Sequence, residues 1–405
     1  MNFLSCTPKS CSTLVALAFL FPGVPHGNPL HSADRPVFGQ ALIVGGGPDL
    51  RHNQAAIESN VRYVDRLLPN ATPRRILFAD GNPDRKEVLC EDENSKDYYR
   101  TPQISKIDGA AQRTQVHREL DTISERLSEK PKTPVLLYFT GHGSPNQEGE
   151  FDNNSYDLWG DDELSVKDLA SSIKTFPEGA AVTLVMVQCF SGSFGNLIFQ
   201  NGDPKQPLAK QNLCGFFACV SERMAAGCTP AVNEAYYKDF TSYFFAALTG
   251  KDRLGRPVIG ADYNHDGRVE MDEAYAYTIL HDDSIDTPVC TSDVYLRAFV
   301  KKPDAETLAT PYSQIVRWST PAQKAALEGL SVQLKMDGED IPLQAYNEFA
   351  HINVQSMDSR DVHLIRFVRL CKSVVLAHEL ARTGTKEEKD GFRRLTQAEH
   401  GNPFL

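Results

Sequence analysis

Two apolar runs that stop abruptly dominate the hydropathy pattern. Residues 134–143 read PVLLYFTGHG and residues 182–192 read VTLVMVQCFSG. Neither run alternates, as expected of strands covered on both faces in a parallel sheet. Each ends in a small-residue turn carrying one reactive side chain, His142 in the first and Cys189 in the second. One helical pattern, residues 165–176, lies between them. In open α/β sheets the loops at the carboxyl ends of the strands carry the chemistry.

The rest of the pattern fits the same architecture. Residues 40–44 (QALIV) and 74–80 (RRILFAD) predict two more strands, and residues 213–220 another. Apolar spacing predicts helices over 53–68, 112–130 and 234–248. Residues 156–160 read as a short strand. Residues 81–109 and 145–154 read as exposed polar loops, where proteolytic nicking is expected. This alternation predicts an α/β/α sandwich around a mainly parallel central sheet, over residues 39–300. Beyond residue 300 only helical patterns remain, at 322–334, 362–382 and 387–399. Residues 301–405 are therefore a helical C-terminal region, either an appendage or a layer packed on the main domain.

The N-terminus changes the expected setting. Lys9 precedes an apolar stretch, residues 14–24, too short to span a bilayer. Residues 1–27 read as a secretory signal and 28–38 as a linker, which places the protein outside the cytoplasm, secreted or periplasmic. A disordered or anchoring N-terminus is the alternative. No later segment suggests stable membrane insertion. The net charge of −11, with no Lys/Arg-rich block, argues against a nucleic-acid partner. Of nine cysteines, Cys6 and Cys11 fall in the leader. Setting Cys189 aside leaves an even set that permits disulfides in an exported chain, Cys228 with Cys290 being the favoured pair. Buried free thiols are the alternative. Cys214 and Cys219 have opposite strand parity and are not expected to pair.

Three motifs bear on chemistry. Gly45-Gly46-Gly47 follows the first strand, but Leu50 occupies the third-glycine place of a dinucleotide fingerprint, so no organic cofactor is expected. His142 and Cys189 make a candidate base and nucleophile. Residues 262–273, DYNHDGRVEMDE, satisfy a calcium-loop pattern. Asp262, Asn264 and Asp266 supply side-chain oxygens and Arg268 a carbonyl, while Glu270 and Glu273 close the shell. The segment entering the loop, 255–260, is a poor helix. This predicts one structural Ca²⁺ site rather than a paired sensor, with a metal-free acidic turn as the alternative.

The runs YFTGHGS (138–144), ELSVKDLASSI (163–173) and QCFSGS (188–193), with Arg51-His52-Asn53-Gln54, resemble the legumain branch (peptidase family C13) of the caspase-like cysteine proteases. That branch also includes the catalytic subunit of the GPI-anchor transamidase. The resemblance covers roughly residues 38–290. The His-to-Cys spacing of 47 residues fits the roughly 50 of caspases. It implies a caspase-like fold, with Cys189 as nucleophile and His142 as general base and acid. Backbone N–H groups of Gly143 and Cys189 would form the oxyanion hole. Asp49 would support the histidine, and Arg51 and Ser221 would line the substrate pocket. Two positions depart from the family. Val187 replaces an acidic residue two before the nucleophile, and Gly141 replaces the Asp before the catalytic His. The first shifts the expected cut site from Asn toward Asp. The expected function is a secreted cysteine endopeptidase acting on peptide or protein substrates, of unknown oligomeric state. A transpeptidase or ligase would use the same dyad, and an inactive calcium-binding interaction module is the third reading.

Overall fold

A continuous hydrophobic strand must be covered on both faces, and the computed structural model covers each of them so. It describes residues 38–146, 149–352 and 357–404. The predicted leader lies outside the described residues, as does the linker except for Phe38, which is buried in the core rather than free. In chain order the first half contains β1 (Gln40–Gly46), α1 (Ala55–Leu67), β2 (Arg74–Phe78), β3 (Val88–Glu91), β4 (Asp97–Arg100), α2 (Arg113–Glu129), β5 (Val135–Ser144), β6 (Ser155–Leu158), β7 (Asp162–Ser165), α3 (Val166–Ile173), β8 (Ala181–Met186) and β9 (Asn212–Phe217). The second half contains α4 (Phe240–Thr249), α5 (Met271–His281), β10 (Val289–Cys290), α6 (Thr291–Phe299), α7 (Asp304–Leu308), α8 (Tyr312–Trp318), α9 (Pro321–Leu334), α10 (Ile341–Phe349), α11 (Ser359–Thr383) and α12 (Lys386–Glu399).

The main sheet runs β10-β9-β8-β5-β1-β2, parallel except at β10. The chain leaves β1 toward β2, then crosses back to β5 and continues outward. The strand order therefore reverses at β1 and β5, the place where doubly wound sheets bind ligands. Alternate residues of each strand feed two cores. Ile43, Leu136 and Tyr138 face the layer of α1, α4 and α5, whereas Leu42, Leu137 and Phe139 face that of α2 and α3. The mainly parallel α/β sandwich expected from the sequence is the observed architecture.

Residues beyond 300 do not form a separate body. All described residues belong to one compact unit. Along α11, Leu364, Phe367 and Val374 enter the first core and Leu376 and Leu380 the second. Its buried Arg366 donates to the carbonyl oxygens of Asp286 at 2.8 Å, Asp282 at 2.5 Å and Ser284 at 3.2 Å, tying the helix to the segment after α5. No described helix is long and apolar enough to cross a membrane.

Three expectations are corrected. The segment 81–109 is not simply an exposed loop, because it holds the β3–β4 hairpin and buries Glu87, Val88 and Cys90. The helix expected over 234–248 begins only at Phe240, since Asp239 adopts an extended conformation and caps it by accepting from the Ser242 N–H at 2.7 Å. The seven described cysteines are unpaired. Cys228 points to the Gly141 carbonyl at 3.5 Å, whereas Cys290 faces the Ser292 hydroxyl at 3.2 Å, so they do not pair with each other.

The C-terminal tail closes the core. Phe404 packs edge-on against Phe38 at 4.9 Å and Phe245 at 5.3 Å. Phe404→Ala should destabilise the protein by about 3 kcal/mol, at the lower end of buried Phe truncations. Equilibrium urea unfolding measures this, and a loss below about 1 kcal/mol would mean that the tail is not docked.

Candidate active site

Register decides which loop residues can meet. Between β5 and β8, Val135 pairs with Val182 and the ladder runs to Phe139 opposite Met186, a constant offset of 47 residues. The Val187 N–H extends it by donating to the Phe139 carbonyl at 3.0 Å. His142 and Cys189 are separated by the same 47 residues, and each lies three positions beyond the last pair, so the register carries both to one level where β8 has ended and β5 continues. On the other side of β5, Gly46 of β1 pairs with Gly141, which raises the turn after β1 beside His142.

Two glycines permit the approach. A Cβ on Gly143 would lie 2.3 Å from the Cys189 carbonyl oxygen, so any side chain there would push the two strand ends apart. A Cβ on Gly47 would lie 2.0 Å from the His52 carbonyl oxygen, so the glycine run closes a tight turn on itself. After Cys189, Phe190 adopts a left-handed conformation, φ 60° and ψ 17°. This costs on the order of 1 kcal/mol for a non-glycine residue. The turn is held by the Phe190 N–H donating to the Arg223 carbonyl at 2.8 Å.

His142 is half-buried. Its Nε2 meets the Gln54 Oε1 at 2.9 Å, leaving Nδ1 to accept a proton in the neutral tautomer. The His52 ring stands edge-on at 5.4 Å. Burial, then the electrostatic influence of His52, holds the His142 imidazole below its ordinary value. The sulfur of Cys189 accepts from the Ala225 N–H at 3.3 Å. Burial pushes its thiol up, with Asp286 and Asp157 adding to the effect. The resting state is therefore a neutral thiol beside a neutral imidazole. Among the described residues no hydrogen bond joins them, a separation common before substrate is bound.

The other expected residues divide. Asp49 does not hold His142. Its carboxylate accepts from the N–H of Arg51 at 2.7 Å and of His52 at 3.1 Å and bonds His52 Nδ1 at 2.9 Å, so it orders the turn and Gln54 takes the place beside the His142 ring. Arg51 is exposed in that turn, and among the described residues its guanidinium has no hydrogen bond or ion pair. Val187 is buried. Ser221 lies past β9, its carbonyl accepting from Asn154 Nδ2 at 2.8 Å. The same amide reaches the Phe190 carbonyl at 3.4 Å, linking the turn after the nucleophile to residue 221.

Several site residues were not foreseen. Asp157 pairs directly opposite His142 across β5 and β6, and accepts from the Ser144 hydroxyl at 2.9 Å. Burial pushes its carboxyl up to about 6. Asp286 is buried and accepts from the N–H groups of Ala226 at 2.7 Å and Phe240 at 2.9 Å, fixing the segment that contacts the sulfur. Gln188 is buried without a hydrogen-bond partner for either amide atom. Gln188 adjoins the thiol in sequence, whereas the aspartates carried no local signal, and only the strand pairing and the fold of residues 225–240 bring them near it.

The calcium-loop sequence folds as a turn closed by its own carboxylates. Asp262 accepts from the N–H groups of Asp266 at 3.2 Å and Gly267 at 3.0 Å, and Arg268 donates its N–H to Asp266 at 3.0 Å. The Asn264 side chain accepts from Asp266 N–H at 2.8 Å. Glu273 accepts from the N–H groups of Tyr263 at 2.8 Å, Asn264 at 2.9 Å and Glu270 at 3.1 Å. Glu270 is buried, with Oε2 lacking a partner. Among the described residues no group of three or more His, Cys, Asp or Glu side chains is gathered to hold a metal. The donor types suit Ca²⁺, but Glu273 would have to release its amides to complete the shell.

No family model matches the chain, and no curated protein does. Among solved structures, a structural-genomics protein from Geobacter sulfurreducens is similar over 62% of this chain and 92% of its own, with 15% identity and a TM-score of 0.38. A secreted C11 cysteine protease from Bacteroides thetaiotaomicron, solved with an irreversible peptide inhibitor, is similar over 68% of this chain and 71% of its own, with 14% identity and a TM-score of 0.28.

The electrostatics give a test independent of substrate. A thiol raised above 9.0 stays protonated at neutral pH, and an imidazole lowered below 6.5 stays neutral there. The rate of Cys189 alkylation by iodoacetamide, followed by mass spectrometry, should therefore rise on the alkaline side only. A reactive plateau already present at pH 6 would instead demonstrate a preformed thiolate–imidazolium pair.

Proposed function

We propose that this protein is a cysteine endopeptidase of the caspase-like, legumain-related type, acting outside the cytoplasm on a polar or acidic residue. The observation that carries this reading is the common level of His142 and Cys189 beyond the β5–β8 ladder. In the proposed reaction His142 takes the thiol proton as the sulfur attacks the scissile carbonyl. Backbone N–H groups at Gly143 and Cys189 receive the oxyanion. His142 then returns the proton to the leaving amine, and the thioester is hydrolysed by a water that His142 activates. The buried, neutral pair suits this order, because the base is free when the substrate arrives.

Arg51 supports the specificity. An exposed guanidinium without a carboxylate partner can hold a substrate side chain in two parallel hydrogen bonds. With Val187 in place of an acid, full positive charge remains, favouring Asp over Asn at the cut site. Cys189→Ala and His142→Ala should each abolish turnover while the far-ultraviolet dichroism is unchanged. Arg51→Lys should lower kcat/KM at least tenfold, about 1.4 kcal/mol. Near-normal turnover in either dyad variant, or a peptide-library profile led by Arg, Lys or large apolar residues at the cut site, would overturn the reading.

A structural Ca²⁺ at residues 262–273 belongs to the same proposal. Asp262, Asn264, Asp266, the Arg268 carbonyl, Glu270 and Glu273 would hold it, and its chemistry would be to close the loop ahead of α5. The loop is far in the chain from the dyad, so the effect is on stability. At calcium one hundredfold above Kd the gain is about 2.7 kcal/mol. Melting temperature should rise with calcium after metal stripping, and Asp262→Ala and Glu273→Gln should lose that rise. An identical melting curve with and without excess calcium would leave only an acidic turn.

A further inference from the structure

The turn that carries the nucleophile also forms one wall of a cavity of about 310 Å³. Gly192 and Ser193, third and fourth after Cys189, line it together with Ser221. The lining also includes Arg297 near the end of α6, Lys301 just past it and Arg369 from α11. This size is at the small end of ligand pockets.

Its lining carries three cations, Arg297, Lys301 and Arg369, and two carboxylates, Asp152 and Glu222. Arg297 is committed to the fold, with an ion pair to Asp293 at 3.5 Å and a hydrogen bond to the Ser373 hydroxyl at 3.2 Å. Lys301 donates to the Arg297 carbonyl at 2.9 Å. Arg369 differs. Among the described residues its guanidinium has no hydrogen bond or ion pair, and its Nε is shut away from solvent. Burial, and next the charge of Arg297, push it down to about 10. Two exposed carboxylates, Asp152 and Glu222, also line the cavity, and neither bonds Arg369. A partly buried guanidinium without a hydrogen-bonded partner is costly, and an anion bound to it offsets its desolvation.

We infer that this cavity is a second substrate subsite, one that takes the carboxylate of an acidic side chain near the scissile bond, with Arg369 as its free ligand. The assignment to substrate rests on the proposed peptidase reading, because cavity and thiol share one turn and a peptide laid across Cys189 passes its rim. The anion site itself rests only on the cavity and its cations. Arg369 is a specificity residue, distinct from the Arg51 pocket in the turn after β1.

Two measurements on the full chain separate these layers. The first is melting temperature in a zwitterionic, low-chloride buffer with added glutarate or inorganic phosphate. Wild type should be stabilised in proportion to concentration, and Arg369→Gln should lose the response. Because no hydrogen bond depends on the Arg369 guanidinium, the variant without added anion should melt no lower than wild type. The second is cleavage of peptides carrying Glu at each of four positions on either side of the cut. One position should show at least a tenfold preference for Glu over Gln in wild type and none in Arg369→Gln, with uncharged peptides cleaved equally by both.

If glutarate and phosphate fail to stabilise wild type and no position prefers Glu, the subsite is overturned while the peptidase reading stands. If anions stabilise an enzyme whose cleavage ignores Glu at every position, the cavity binds a free anion and its assignment to substrate is overturned. If anions stabilise a protein that cleaves no peptide, the anion site is upheld and the peptidase reading fails.

Discussion

Everything about the candidate site depends on the parallel pairing of β5 with β8. Its fixed offset equals the separation of His142 and Cys189, so the backbone ladder itself sets the two side chains level. A slip of one residue would turn each side chain to the other face of the sheet. Slippage is opposed from both sides, because Leu136 and Tyr138 fill one core while Val135, Leu137 and Phe139 fill the other. The placement of His142 and Cys189 is thus a by-product of burying two apolar strands. Gly143 adds the one local requirement, a strand end able to pass against the Cys189 carbonyl.

Charge is arranged around this pair rather than within it. The thiol and imidazole are neutral at rest, as burial disfavours both ionised forms. Of the carboxylates on its flanks, half-buried Asp157 accepts from the Ser144 hydroxyl, and buried Asp286 holds the backbone at Ala226 and Phe240. The free positive charge lies outside, on Arg51 in the turn after β1 and on Arg369 in the cavity beyond the nucleophile's turn.

The strands, with His142 and Cys189 just past their apolar runs, were legible because their signals are local. An unbroken apolar run ending in Gly-His-Gly or Cys-Phe-Ser-Gly states both its burial and its exposed tip. What is built from distant residues was not legible. Gln54 was visible only as a neighbour of Arg51, and Asp49 seemed the better partner for the histidine until the turn used its carboxylate on its own amides. The β3–β4 hairpin was hidden because β4, Asp97–Arg100, is polar and largely exposed. The C-terminal helices showed their periodicity but not their partners. Nothing in the spacing of α11 tells that Arg366 caps carbonyls after α5, or that Arg369 opens into a cavity beside the nucleophile's turn.

The central claim is that Cys189 reacts as a nucleophile because His142 stands level with it. Covalent labelling by a peptidyl acyloxymethyl ketone with Asp next to the warhead, located by mass spectrometry, tests this most directly. The account predicts a single adduct on Cys189, absent in His142→Ala and retained in Cys228→Ala, the other half-buried cysteine. An adduct on Cys228, or undiminished labelling of Cys189 without the imidazole, would contradict it.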